Sequence, residues 1–114
     1  MKLSEIQDIL NAEILTGETG VEINTACGCD LMSDVLAFVK DQSLLLTGLI
    51  NSQVIRTAEM MDIVAVCFVR GKKPADDVIK LAQSKNIAIL TTEHPLYTAC
   101  GMLYEKGLGG RKGA

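Results

Sequence analysis

The run Ile63-Val64-Ala65-Val66-Cys67-Phe68-Val69 is apolar at every position and carries no charged side chain. A strand with one wet face alternates apolar and polar residues, whereas a strand covered on both faces does not. Seven residues is also a common strand length and short for a helix. The run therefore predicts a central strand of a parallel sheet that has helices on both faces.

The segments around this run repeat one pattern of strand and helix. Apolar runs at 43–49 and 87–92 predict two further strands, and amphipathic segments at 52–61 and 75–85 predict the helices that connect them. Strands that alternate with helices of this length form βαβ units. We therefore expect an α/β fold with a mostly parallel sheet.

A last helix is predicted to begin at Pro95 and to stop at Gly107, since proline suits a helix start and glycine a helix end. Its apolar residues share one face: Leu96, Ala99, Cys100, Leu103 and Tyr104. Gly101 lies in the middle of this helix and permits close approach of a backbone, within the chain or between protomers.

The first part of the chain is less regular. Ser4 and Gln7 have the spacing of a capping box and predict a helix over 4–11. Short apolar pieces at 13–15 and 21–23 predict two strands. Together with the three later runs, they give a sheet of about four to five strands.

A further helix is predicted after Gly28, with Asp30 as its cap and its end near 40–41. This helix has an apolar stripe that can pack against the sheet. With it, the chain has enough helices to cover both faces of the sheet. The 114 residues, 48% hydrophobic, suffice for one such domain. We place this domain at residues 1–108 and expect residues 109–114 to form a flexible tail.

Charge and hydropathy exclude several classes of protein. The net charge of −3 offers no broad basic surface for nucleic acid or an anionic membrane. No stretch approaches the roughly 18 apolar residues of a spanning helix, and the start has no signal-peptide pattern. We therefore expect a cytoplasmic protein that binds neither nucleic acid nor membrane.

Five segments carry a resemblance to a known family: Lys2-Leu3-Ser4-Glu5-Ile6, Leu31-Met32-Ser33-Asp34-Val35-Leu36, Val54-Ile55, Gly71-Lys72-Lys73-Pro74-Ala75-Asp76-Asp77-Val78-Ile79 and Ile87-Ala88-Ile89-Leu90-Thr91-Thr92. Through them the chain resembles the DRTGG domain family, and the resemblance covers almost its whole length, from Leu3 to about Leu108. The motif that names the family departs from its usual form, because Asp-Arg is replaced by Ile50-Asn51 and Thr-Gly-Gly by Val69-Arg70-Gly71.

The resemblance implies a regulatory or dimerising module without catalytic activity. Domains of this family accompany CBS domains and occur in phosphotransacetylase-like and HPr-kinase-like proteins. Free-standing versions are similar in length to this chain, and some accompany redox-enzyme systems. The resemblance therefore implies a homodimer and a protein partner, either an enzyme or a redox system.

Polar residues follow the predicted parallel strands where a ligand usually binds, at their carboxyl ends. A small anionic or nucleotide-like effector is one hypothesis for this edge. The alternative is ordinary helix capping and solvated turns. The candidate ligand-binding residues are Asn51, Ser52, Arg70, Gly71, Thr91, Thr92 and His94.

His94 is the only histidine and follows a predicted strand, where a general base is well placed. A small enzyme using His94 with Thr92 is therefore an alternative function. The sequence has no Gly-x-Ser-x-Gly elbow, His-Glu-x-x-His helix or Walker loop to accompany it. A structural role at the helix start is the other interpretation.

Cys27-Gly28-Cys29 gives a further alternative, a redox or metal-binding accessory protein. Zinc sites pair two Cys-x2-Cys units or add histidines, and Cys67 and Cys100 lie far away in apolar segments. We expect four free thiols, no cofactor and no metal. The sequence thus predicts a non-catalytic regulatory domain that self-associates and senses a small effector for a partner protein.

Overall fold

The computed structural model describes residues 1–38 and 42–110. Five helices and five strands follow one another in these residues. The helices are α1 (Leu3–Leu10), α2 (Met32–Phe38), α3 (Ser52–Met60), α4 (Asp76–Ser84) and α5 (Leu96–Glu105). The strands are β1 (Glu13–Thr16), β2 (Thr25–Gly28), β3 (Ser43–Thr47), β4 (Ile63–Phe68) and β5 (Ala88–Thr91).

The strands form one sheet in the order β1-β5-β4-β3-β2. β2, β3, β4 and β5 run parallel, and β1 pairs antiparallel with β5 at one edge. β4 lies in the centre, as its continuously apolar sequence predicts. The predicted α/β class with a mostly parallel sheet is confirmed.

Helices cover both faces of the sheet. One face packs against α2, α3 and α4 through residues such as Leu45, Val66 and Phe68. The other packs against α1 and α5 through Leu44 and Leu90. All five residues of β3 are buried, because both of its faces are covered.

The N-terminal segment departs from the sequence prediction at the second strand. The apolar piece 21–23 lies outside the named strands, and β2 is instead Thr25–Gly28. Ile23 is fully buried, and its N–H donates to the carbonyl of Met1 at 2.7 Å. Its apolar character therefore reflects packing beside α1.

Two predicted helix caps also differ from the structure. The N-cap of α1 is Lys2, whose backbone N–H donates to Oε1 of Glu5 at 3.1 Å, two residues earlier than the predicted box at Ser4. The second predicted cap, Asp30, uses its carboxylate elsewhere, because Oδ1 accepts hydrogen bonds from Thr47 and Gly48 at the end of β3. The predicted end of α2 near 40–41 lies outside the described residues.

The chain continues past α5 into the core. Gly107 has a φ of +102° and ends the helix, and the N–H of Leu108 donates back to the carbonyl of Leu103. Leu108 is buried, and the next residue, Gly109, accepts a hydrogen bond from Ala26 of the edge strand β2 at 3.0 Å. Gly109, the first residue of the tail expected at 109–114, is therefore bonded to β2. Residues 111–114 lie outside the described part of the chain.

None of the described helices combines the length and apolar composition needed to cross a membrane.

Candidate functional site

The loop 70–73, which follows β4, is fixed against the segment that follows β5. Arg70 N–H donates to the carbonyl of His94 at 3.0 Å, and Gly71 N–H donates to the carbonyl of Thr92 at 2.8 Å. The hydroxyl of Thr91 donates to the carbonyl of Lys72 at 2.7 Å. Three hydrogen bonds therefore hold this loop in one position at the carboxyl edge of the sheet.

The backbone of this loop turns through the left-handed region at two successive residues. Arg70 has a φ of +60° and Gly71 a φ of +68°. A Cβ on residue 71 would lie 2.5 Å from Oε2 of Glu93. The positive φ at position 71 therefore favours glycine, and Arg70, which precedes it in the turn, is exposed.

A second group of contacts connects this loop to the ends of β2 and β3. Oδ1 of Asp30 accepts hydrogen bonds from the Thr47 hydroxyl at 2.9 Å and from Gly48 N–H at 2.8 Å. Lys72 Nζ donates to the carbonyl of Gly48 at 3.1 Å. The Gly48 hydrogen bond, the Thr47 hydroxyl and the charges of Lys72 and Arg70 hold the pKa of Asp30 below its usual value, against the opposing effect of partial burial.

The cations of this edge differ in what surrounds them. Lys73 Nζ lies 3.2 Å from Glu13 on β1, so its charge is directed to the antiparallel side of the sheet. Lys72 bonds to Gly48, and Arg70 is exposed. Arg70 is therefore the cation of the loop best placed to meet a ligand from solvent.

Two of the helices that begin at this edge, α3 and α4, differ in the charge of their first turn. The first turn of α3 contains no acidic residue, whereas that of α4 contains Asp76 and Asp77. Carboxylates repel an anion from a helix start that would otherwise attract it. An anion would accordingly lie on the α3 side of the loop, near the exposed Ser52.

Among the residues proposed from sequence, three use their side chains inside the fold. Asn51 accepts from Gln53 N–H at 3.1 Å and so caps α3. The hydroxyl of Thr92 is buried and donates to the carbonyl of Leu10 at 2.8 Å, and that of Thr91 bonds to Lys72. The side chains of these three residues therefore make hydrogen bonds that stabilise the edge.

The structure brings Arg70, Gly71 and His94 together through their backbones. His94 accepts from Arg70, and its own N–H donates weakly to the Thr92 hydroxyl at 3.4 Å. Sequence reasoning missed Asp30 and Lys72, which join three strand ends. The one sequence feature that pointed to these contacts is the pair Thr47-Gly48, which ends a predicted strand and is bonded by both Asp30 and Lys72.

Burial acts on three of the four thiols, those of Cys27, Cys67 and Cys100. Burial, with the neighbouring Cys29, Cys100 and Asp34, raises the pKa of Cys27 to about 11. Burial, with a smaller effect of Cys100, raises the pKa of Cys67 to about 12, and burial also raises that of Cys100. Since the thiolate is the reactive form, these thiols are weak nucleophiles.

Cys29, one of the two thiols of the metal alternative, lies against the backbone that follows it. Cys29 Sγ contacts the backbone of Leu31, at 3.3 Å from its carbonyl and 3.4 Å from its N–H. In residues 1–38 and 42–110, no group of three or more His, Cys, Asp or Glu side chains is placed to hold a metal ion.

An open hollow of about 420 Å³ lies at the opposite edge of the sheet, where β4 and β5 begin. Its polar lining includes Glu18, Gln83 and Asn86. It has a carboxylate and no cation among its lining residues. This hollow is therefore less suited to an anion than the carboxyl edge.

A mostly parallel sheet with helices on both faces and a cationic loop over its carboxyl edge defines this chain as a small α/β domain. The chain belongs to the DRTGG domain family, whose model matches residues 5–105. This confirms the membership that the sequence resemblance indicated. Comparison with functionally curated proteins gave no match.

One solved structure has the same fold over nearly the whole chain. It contains the CBS and DRTGG domains of the regulatory region of Clostridium perfringens pyrophosphatase, in complex with the activator diadenosine tetraphosphate. The TM-score is 0.77 at 17% sequence identity, over 97% of this chain and 51% of that one. The likeness establishes the fold, and the chain spans about half the length of that regulatory region.

Proposed function

We propose that this chain is a non-catalytic regulatory domain that binds a small phosphate-bearing effector of nucleotide type and transmits its presence to a partner protein. The observation that carries the proposal is the loop 70–73, which presents Arg70 from a fixed backbone at the carboxyl edge. A loop whose backbone is fixed before binding loses less entropy when a ligand arrives.

Two further observations support an anionic ligand. Arg70 and Lys72 belong to one loop, and the helix that begins beside them, α3, has no acidic residue in its first turn. Arginine suits phosphate because its planar guanidinium donates two parallel hydrogen bonds. The structure of the pyrophosphatase regulatory region, which contains an activator with phosphate groups, is consistent with this class of ligand.

The partner is an enzyme or a redox system that the domain regulates. A regulatory role is favoured over catalysis because polar side chains that a reaction would need already bond within the fold. Asn51 accepts from Gln53 N–H, and the Thr92 hydroxyl donates to the carbonyl of Leu10. The four cysteines form no disulfide, which is in keeping with a reducing compartment for this partnership.

Isothermal titration calorimetry tests the proposal with AMP, ATP, diadenosine tetraphosphate and inorganic phosphate as ligands. We expect Arg70→Gln to weaken binding about tenfold or more, because a hydrogen bond between charged groups is worth about 1.5–3 kcal/mol. Lys106→Gln is the control, since Lys106 is an exposed cation at the end of α5, far along the chain and the helix from the loop 70–73. Equal affinity of both variants, or no binding of any of these ligands at millimolar concentration, would refute the proposed site.

A further inference from the structure

The outer face of α5 differs from those of the other long helices. From Leu96 to Tyr104 the helix has no charged residue, and Tyr97 and Tyr104 are 91% and 71% exposed. By contrast, α3 exposes Arg56 and Glu59. A helix that faces water on one side normally has polar residues there, so an apolar outer face indicates that something covers it.

The two tyrosines border an open apolar hollow of about 550 Å³ with Gly101 between them. A Cβ built on Gly101 would meet no atom within 4 Å. Glycine therefore leaves space on the outside of the helix and fills no close contact within the chain. A smaller hollow of about 120 Å³ continues from Tyr104 and Cys100 toward Gly28 of β2.

We propose that a second copy of this chain packs against α5, with the two helices antiparallel and crossing at Gly101. Tyr97 lies four residues before Gly101 and Tyr104 three residues after it. A two-fold axis beside Gly101 therefore places each Tyr97 opposite Tyr104 of the partner subunit. The two protruding rings and the hollow between them make this surface complementary to itself.

Charge also favours the second copy as the occupant. Glu105 borders the same hollow at the end of α5. The start of α5 has no acidic residue in its first turn, and its N-cap, Pro95, makes no side-chain hydrogen bond to the helix. An antiparallel pair places Glu105 beside the start of the partner helix, where a carboxylate is favourable because the helix dipole is positive there.

Sedimentation velocity over a range of protein concentrations tests this interface. We expect the wild-type chain to be a dimer and Tyr104→Glu to be a monomer. Met60→Glu is the matched control, because Met60 is 72% exposed on α3 and lies outside the hollow. This control is expected to remain dimeric.

Gly101→Leu provides a second test that does not depend on the tolerance of Tyr104. The new side chain has open space in the single chain, so folding is retained, while the crossing of the helices is blocked. A folded monomer, shown by circular dichroism and sedimentation, supports the proposal. A monomeric wild type at about 100 μM, or a Gly101→Leu dimer as tight as the wild type, would overturn it.

Discussion

Replacement of Gly71 by alanine tests whether the loop 70–73 is held as rigidly as its contacts indicate. Alanine at a φ of +68° occupies a region that disfavours residues with a Cβ by about 1–2 kcal/mol. The new Cβ would also lie 2.5 Å from Oε2 of Glu93. Because Glu93 is exposed and flexible, its displacement adds little, and we expect a total loss of about 1–2 kcal/mol.

Chemical denaturation and thermal melting measure this loss. A destabilisation of this size lowers the melting temperature by roughly 4–10 °C in a small domain. Gly20→Ala is the control, since a Cβ at Gly20 meets nothing within 4 Å. Repeating Gly71→Ala in a Glu93→Ala background separates backbone strain from the carboxylate contact.

The effector affinity of Gly71→Ala should fall as well, because the same turn positions Arg70. If Gly71→Ala were as stable as Gly20→Ala, both the strained turn and the argument for a fixed loop backbone would be wrong.

Three further outcomes are expected. Asp30→Asn should lower the free energy of unfolding by about 1 kcal/mol at pH 7. The pKa of Asp30 is lowered in the fold, so its stabilisation is present above the unfolded pKa and lost as pH falls through the folded pKa, and urea titrations of the two proteins should converge at acid pH. Leu108→Ala should cost about 2–3 kcal/mol in the same assay, because Leu108 is buried beyond the end of α5; a loss below 0.5 kcal/mol would show that this segment is not part of the core. Cys67 should react with a thiol reagent at pH 7 only as fast as the chain unfolds, given its burial and raised pKa; rapid labelling of the native protein would contradict this.

The regular half of the fold was predictable because its sequence pattern and its environment agree. β4 is apolar throughout and lies in the centre of the sheet, and Asn51 precedes α3 and caps it. In these segments, burial on both faces and a local cap leave a direct signature in consecutive residues.

The edge of the sheet was harder to predict. β2 has only four residues, Thr-Ala-Cys-Gly, which are partly buried and have weak strand preference. Val21 and Ile23 give a stronger apolar signal, because their side chains pack in the same cluster as Leu3. Their backbone pairs with the start of the chain, where Leu3 N–H donates to the carbonyl of Val21. Propensity therefore indicated the wrong segment for the second strand.

The sequence predicted where the candidate site lies, because strand order determines which loops meet. It did not predict which side chains at that edge are already hydrogen-bonded within the fold. Parallel strands bring the ends of β3, β4 and β5 together, which places loop 70–73 beside Thr92. The Thr92 hydroxyl bonds to Leu10, 82 residues away, and Asp30 bonds to Thr47. Such partners are set by tertiary structure, so no sequence pattern shows which hydroxyls are already used.

The most direct test of the proposed regulatory site is titration of the ¹⁵N-labelled chain with ATP, followed by amide chemical shifts. We expect saturable shifts concentrated at Arg70, Gly71 and Lys72 and at the start of α3. Shifts confined to the opposite hollow around Glu18 and Asn86, or no shifts with ATP or diadenosine tetraphosphate at millimolar concentration, would contradict the account.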